Sequence, residues 1–61
     1  MSDNILNMWN ELKILIESTE ADIVKNNSGN KSAGVRARKG LRQVKKSATN
    51  IVKSSIESDR D

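Results

Sequence analysis

The chain has 61 residues, with eleven Lys or Arg against eight Asp or Glu, a single aromatic side chain, and no Cys, His or Pro. At this length one core contributes only a few kcal/mol, and without Cys or His neither a disulfide nor the usual zinc ligands can add to it, so association is the remaining route to stability. The same absences remove the common nucleophile–base pairs, and an uninterrupted, proline-free chain with almost no aromatics predicts an all-α fold rather than a sandwich or barrel.

Residues 1–61 are expected to form one domain. The opening stretch MSDNILNMWNELKILIE has no basic n-region and no small-residue cleavage site, so it does not read as a secretory signal. It is too polar to span a bilayer, and an intracellular, cytoplasmic location is the expectation. Ser2 and Asp3 are N-cap candidates for a first helix over about residues 3–25. Ile5, Met8, Trp9, Leu12, Leu15, Ile16, Thr19 and Ile23 fall within roughly 60° of Leu12 on a helical projection, a broad apolar stripe. Within it Ile5, Trp9, Leu12, Ile16, Thr19 and Ile23 alternate steps of four and three, the spacing of a heptad seam. Leu6, Ile14 and Val24 lie off the stripe.

Asn and Gly in KNNSGN, Lys25 to Asn30, supply the left-handed conformations that end a helix, so a loop over residues 26–31 is expected to reverse the chain. A loop this short makes its two helices antiparallel neighbours, a helical hairpin. Asn30 or Ser32 can cap the second helix, expected over about residues 32–57 and followed by a frayed acidic tail at 58–61. In it Ala37, Leu41, Val44, Ala48, Ile51 and Ser55 repeat the four-three alternation. Gly34 and Gly40 weaken the helix by about 1 kcal/mol each relative to Ala, so their use is close backbone approach to a packed helix or a phosphate. Burying both seams requires a second hairpin. The expected assembly is a four-helix bundle made by a homodimer, with a tetramer allowed by Leu6, Ile14 and Val24. Ile5, Trp9, Leu12, Ile16, Ile23, Leu41, Val44, Ala48 and Ile51 are its expected core.

Charge is distributed less evenly than composition suggests. From Ile23 to Ile56 there is no acid, while Lys25, Lys31, Arg36, Arg38, Lys39, Arg42, Lys45, Lys46 and Lys53 supply nine cations. With Leu41 at the centre of the buried face, Lys45, Arg38, Arg42, Lys53, Lys46 and Lys39 occupy a sector of about 120° on one flank, roughly 22 Å long from Arg38 to Lys53. The other flank, Gly40, Gln43, Ser47, Asn50 and Ser54, is nearly uncharged. Salt bridges to Glu17 or Glu20 of the first helix would absorb one or two of these cations, not nine. The surplus predicts a polyanion partner, with Lys31, Arg36, Arg38, Lys39, Arg42, Lys45, Lys46 and Lys53 as candidate DNA contacts to phosphate and RNA as an equivalent ligand on these grounds. Arg36 points away from the sector, toward a second duplex or an ion pair between chains. Few Asn or Gln lie near enough to read bases, so binding without sequence preference is expected.

No other chemistry stands out. Glu11, Glu17, Glu20 and Asp22 are the charged side of an amphipathic helix without metal-loop spacing, GVRARKG is not a P-loop, and Trp9 sits on the apolar stripe of an acidic helix, where phosphate is repelled. No cofactor, metal, small-molecule substrate or enzymatic activity is expected. An amphipathic helix adsorbed to anionic membrane fits poorly, because the cations and the bulky apolar residues occupy different helices. The stronger rival to DNA is a coiled-coil adaptor whose basic face meets an acidic protein.

The run GNKSAGVRARKGLRQVKKSATNIVKSSI, Gly29 to Ile56, resembles the bacterial linker-histone-like family typified by the chlamydial nucleoid-condensing proteins. The likeness is carried by Gly29, Asn30, Lys31, Ala33, Gly34, Arg36, Ala37, Arg38 and Lys39; residues 1–28 share only an amphipathic helix of suitable length. The resemblance implies a nucleoid-associated, DNA-compacting protein without enzymatic activity. The chain departs from the chlamydial pattern in ending in acid where those proteins have a Lys-rich tail, which shifts the expected DNA contacts onto the folded surface.

Overall fold

A computed structural model describes Ser2–Arg60, with side chains from Asn4 onward. It contains two helices, α1 (Ser2–Asn27) and α2 (Lys31–Ser58), packed against each other as an antiparallel hairpin with Cα extents of 49 × 14 × 11 Å. The capping roles expected of the Ser2 and Asp3 side chains lie outside the described residues.

The reversal follows from the Asn and Gly residues between the helices. The amide of Gly29 donates to the Asn26 carbonyl at 2.9 Å and that of Asn30 to the Lys25 carbonyl at 3.1 Å. This nested pair of bonds closes α1 with a left-handed residue, and Gly29 has φ 103°, a conformation costly for any residue with a Cβ. Asn30 then changes role and opens α2, its side-chain oxygen accepting from the Ala33 amide at 2.9 Å. Asn26 Nδ2 donates to the Asn30 carbonyl at 3.2 Å and ties the two ends of the turn together. At the far end, the Asp59 amide donates to the carbonyls of Ser55 and Ile56, and that of Arg60 to Glu57.

The helices meet along small residues. Ala33, Gly34 and Ala37 of α2 are buried, and Gly40, Val44, Ser47, Ile51, Ser54, Ser55 and Ser58 continue the line half-buried. Opposite them run Ile5, Met8, Leu12, Leu15, Thr19 and Asp22, with Leu12 and Thr19 buried. Thr19 stands directly over Gly40: a Cβ there would lie 2.5 Å from its Oγ1 and 3.1 Å from its Cγ2. The Thr19 hydroxyl is satisfied by donating to the Leu15 carbonyl at 2.7 Å, so it enters the contact at no hydrogen-bonding loss.

This contact line is rotated from the seam that heptad spacing picks out. Met8, Leu15 and Asp22 replace Trp9, Ile16 and Ile23 against α2, and Gly40 and Ser47 replace Leu41 and Ala48 against α1. Small residues let the backbones approach closely, which displaces the bulky apolar side chains to the edge. Trp9 is 46%, Ile16 42%, Ile23 42% and Leu41 48% exposed. The apolar stripe therefore serves two surfaces, one closed by the hairpin and one open.

Candidate nucleic-acid interface

The basic sector is positioned by the same contact. Measured from the α1-facing line of α2 at 100° per residue, Lys45, Arg38, Arg42, Lys53, Lys46 and Lys39 lie between roughly 110° and 180° away. All six are exposed. They form the outer back of α2, with Lys39 at its edge, where it lines a groove shared with Ser18 and Asp22 of α1. A row of cations at i,i+3 and i,i+4 spacing with no acid interleaved repels itself, and a bound polyanion relieves that repulsion.

Lys31, at the first position of α2, is also exposed. Arg36 is arranged differently. Its Nε donates to Asp22 Oδ1 at 3.0 Å, across the polar side of the hairpin near the turn. This is the one ion pair among the described residues, and it joins α2 to Asp22 rather than to Glu17 or Glu20. Arg36 thus spends part of its charge inside the chain. Sequence spacing does not reveal the pair, because the two residues face each other only once the turn geometry at Gly29 and Asn30 is set.

The two lateral faces of the hairpin differ. On one, Glu11, Ser18, Asp22, Arg36, Lys39, Gln43, Ser47 and Asn50 line shallow grooves of mixed polarity between the helices, with Met8 and Leu15 at their floor. On the other, Ile16, Thr19, Glu20, Ile23, Leu41 and Val44 line an apolar groove. Of the expected bundle core, Leu12 is buried, Ile5, Val44 and Ile51 are half-buried, and Trp9, Ile16, Ile23, Leu41 and Ala48 are exposed in the single chain. Leu6, Ile14 and Val24 are exposed on the outside of α1. Among the described residues no cluster of three or more acids has the spacing to hold a metal ion, and no helix is long and apolar enough to cross a membrane.

A family model described as histone H1-like protein Hc1 matches residues 7–61. The chain belongs to this family. The match takes in both helices and the turn, so it extends beyond the basic run of α2 to nearly all of α1. Comparison with curated proteins and with solved structures returned no match in either. Histone H1-like proteins are DNA-binding structural proteins, not enzymes.

Proposed function

We propose that the protein binds duplex DNA largely without regard to sequence, through backbone phosphates contacted by the outer face of α2, and that it organises or compacts DNA in the nucleoid. The observation that carries this reading is the placement of Arg38, Lys39, Arg42, Lys45, Lys46 and Lys53 on the exposed back of α2. A stripe about 22 Å long runs alongside several successive phosphates of a duplex. Lys31 extends it toward the turn, and Arg36 contributes only when its pairing with Asp22 loosens. Such contacts to phosphate fix position and supply affinity without reading sequence.

The protein acts as a homodimer or a larger helical oligomer, because the hairpin alone buries too little. Among the described residues the buried side chains are Leu12, Thr19, Ala33 and Ala37, a small core for a chain of this length.

Competition between unrelated duplexes tests the DNA reading. Two duplexes of different sequence and equal length should displace each other at equal concentration, and both should be displaced by added salt. Preference for an acidic protein over either duplex would favour the adaptor reading instead.

A further inference from the structure

The hairpin leaves one lateral face largely apolar along its middle. Trp9, Ile16 and Ile23 of α1 and Leu41, Ala48 and Val52 of α2 all lie on the same side, roughly 50–110° from the line of contact between the helices, and all six are exposed. Building on the DNA-binding reading, we propose that a second copy of the chain docks on this face with α1 lying over the partner's α2, so that the two basic surfaces point in opposite directions and one dimer bridges two duplexes.

The occupant is a second copy because the face is self-complementary in shape and charge. It runs about 21 Å along α1 from Trp9 to Ile23, with its bulkiest residues on α1 and a small one, Ala48, on α2, and pairing closes both copies' faces at once. The charge division sets the arrangement. Helix α1 carries Asp3, Glu11, Glu17, Glu20 and Asp22 against two lysines, whereas α2 carries eight cations against Glu57. Adjacent helices in a bundle are about 8–10 Å apart, comparable to the Debye length of about 8 Å at physiological salt, so charges on facing helices still interact. Stacking α2 on α2 would bring Lys45 and Arg38, which border the apolar face, against their own copies. Stacking α1 on α2 instead sets Glu20, which lines the groove, beside a basic helix.

The functional consequence follows from geometry. With α1 over α2, the twofold axis runs along the helices between the two faces, and the two α2 helices occupy a diagonal of the four-helix bundle. Since the cations of α2 point away from α1 within each chain, the two basic surfaces end on opposite sides of the bundle. Stacking α2 on α2 would place both on one side, where they would follow a single duplex.

The chain has no cysteine, so single-cysteine variants report the arrangement directly. Ile16→Cys chains are mixed with Leu41→Cys or with Ala48→Cys chains, one of each pair tagged, and oxidised gently at micromolar concentration; a third mixture combines Leu41→Cys with Ala48→Cys. A disulfide between Ile16→Cys and one of the α2 variants is expected. In parallel, wild-type protein should let a bead-bound duplex capture a second, labelled duplex. Ile16→Glu should shift a single duplex yet reduce capture to background, with helicity checked by circular dichroism. Should Ile16→Glu lose its helicity, the cysteine mixtures and wild-type capture decide alone. A cross-link only between Leu41→Cys and Ala48→Cys, a cross-link in no mixture, or a wild-type protein that shifts single duplexes without capturing a second overturns the proposal. A protein that forms the expected cross-link but shifts no duplex overturns the DNA-binding reading instead, while supporting the arrangement of the chains.

Discussion

Replacing Gly40 by Ala tests how closely the helices approach, because two effects of known sign compete. In the middle of α2 the substitution should add about 1 kcal/mol of helix stability. The new methyl would lie 2.5 Å from Thr19 Oγ1, where ordinary contact begins near 3.4 Å, so the threonine would have to retreat by about 0.9 Å. Thr19 is 4% exposed and its hydroxyl is held by the Leu15 carbonyl at 2.7 Å, so retreat breaks a bond or shifts the helix. Overpacking of this kind costs about 1–3 kcal/mol, leaving a net loss of roughly 0–2 kcal/mol. In a Thr19→Ala background the Oγ1 and Cγ2 atoms are gone and the remaining Cβ lies 3.3 Å away, so Gly40→Ala should then stabilise by about 1 kcal/mol. Urea denaturation followed by circular dichroism at one fixed protein concentration measures all four corners of this cycle. Equal stabilisation by Gly40→Ala in both backgrounds would refute the close approach.

Three further outcomes are expected. Asn30→Ala removes the bond to the Ala33 amide and should cost about 1 kcal/mol by the same denaturation assay, and Gly29→Ala should destabilise as well, because φ 103° disfavours a Cβ. The Asp22–Arg36 pair, with Arg36 53% exposed, should show a coupling below about 1 kcal/mol in a double-mutant cycle, fading in high salt. Melting temperature should rise with protein concentration, and Leu41→Asp, at an exposed position, should remove that dependence, whereas Leu12→Asp should abolish folding at every concentration.

Much of the hairpin is legible in the sequence because its signals are local. Asn and Gly between two apolar-periodic segments specify the turn, and an Asn at position 30 followed by helix-forming residues specifies the cap. The sidedness of the basic residues is also local, since it needs only the helical period. Which part of a wide apolar stripe meets the other helix is a different kind of question. Trp9, Ile16 and Ile23 satisfy heptad spacing as well as Met8, Leu15 and Asp22 do, and hydrophobicity alone favours the first set. The choice is made by the facing helix, where Ala33, Ala37, Gly40 and Ser47 permit an approach that Leu41 would block. The Asp22–Arg36 pair depends on the same rotation and was hidden for the same reason.

The most direct test of the central claim is the affinity of a random-sequence duplex across a range of salt, for the wild type and for two paired variants. Neutralising four phosphates per chain would give a log–log slope of about −3.6. Arg42→Glu with Lys46→Glu, on the back of α2, should abolish binding and leave helicity near wild type, while Gln43→Ala with Asn50→Ala, on the polar side, should change little. Equal losses from the two pairs, or an affinity indifferent to salt, would contradict phosphate binding by this surface.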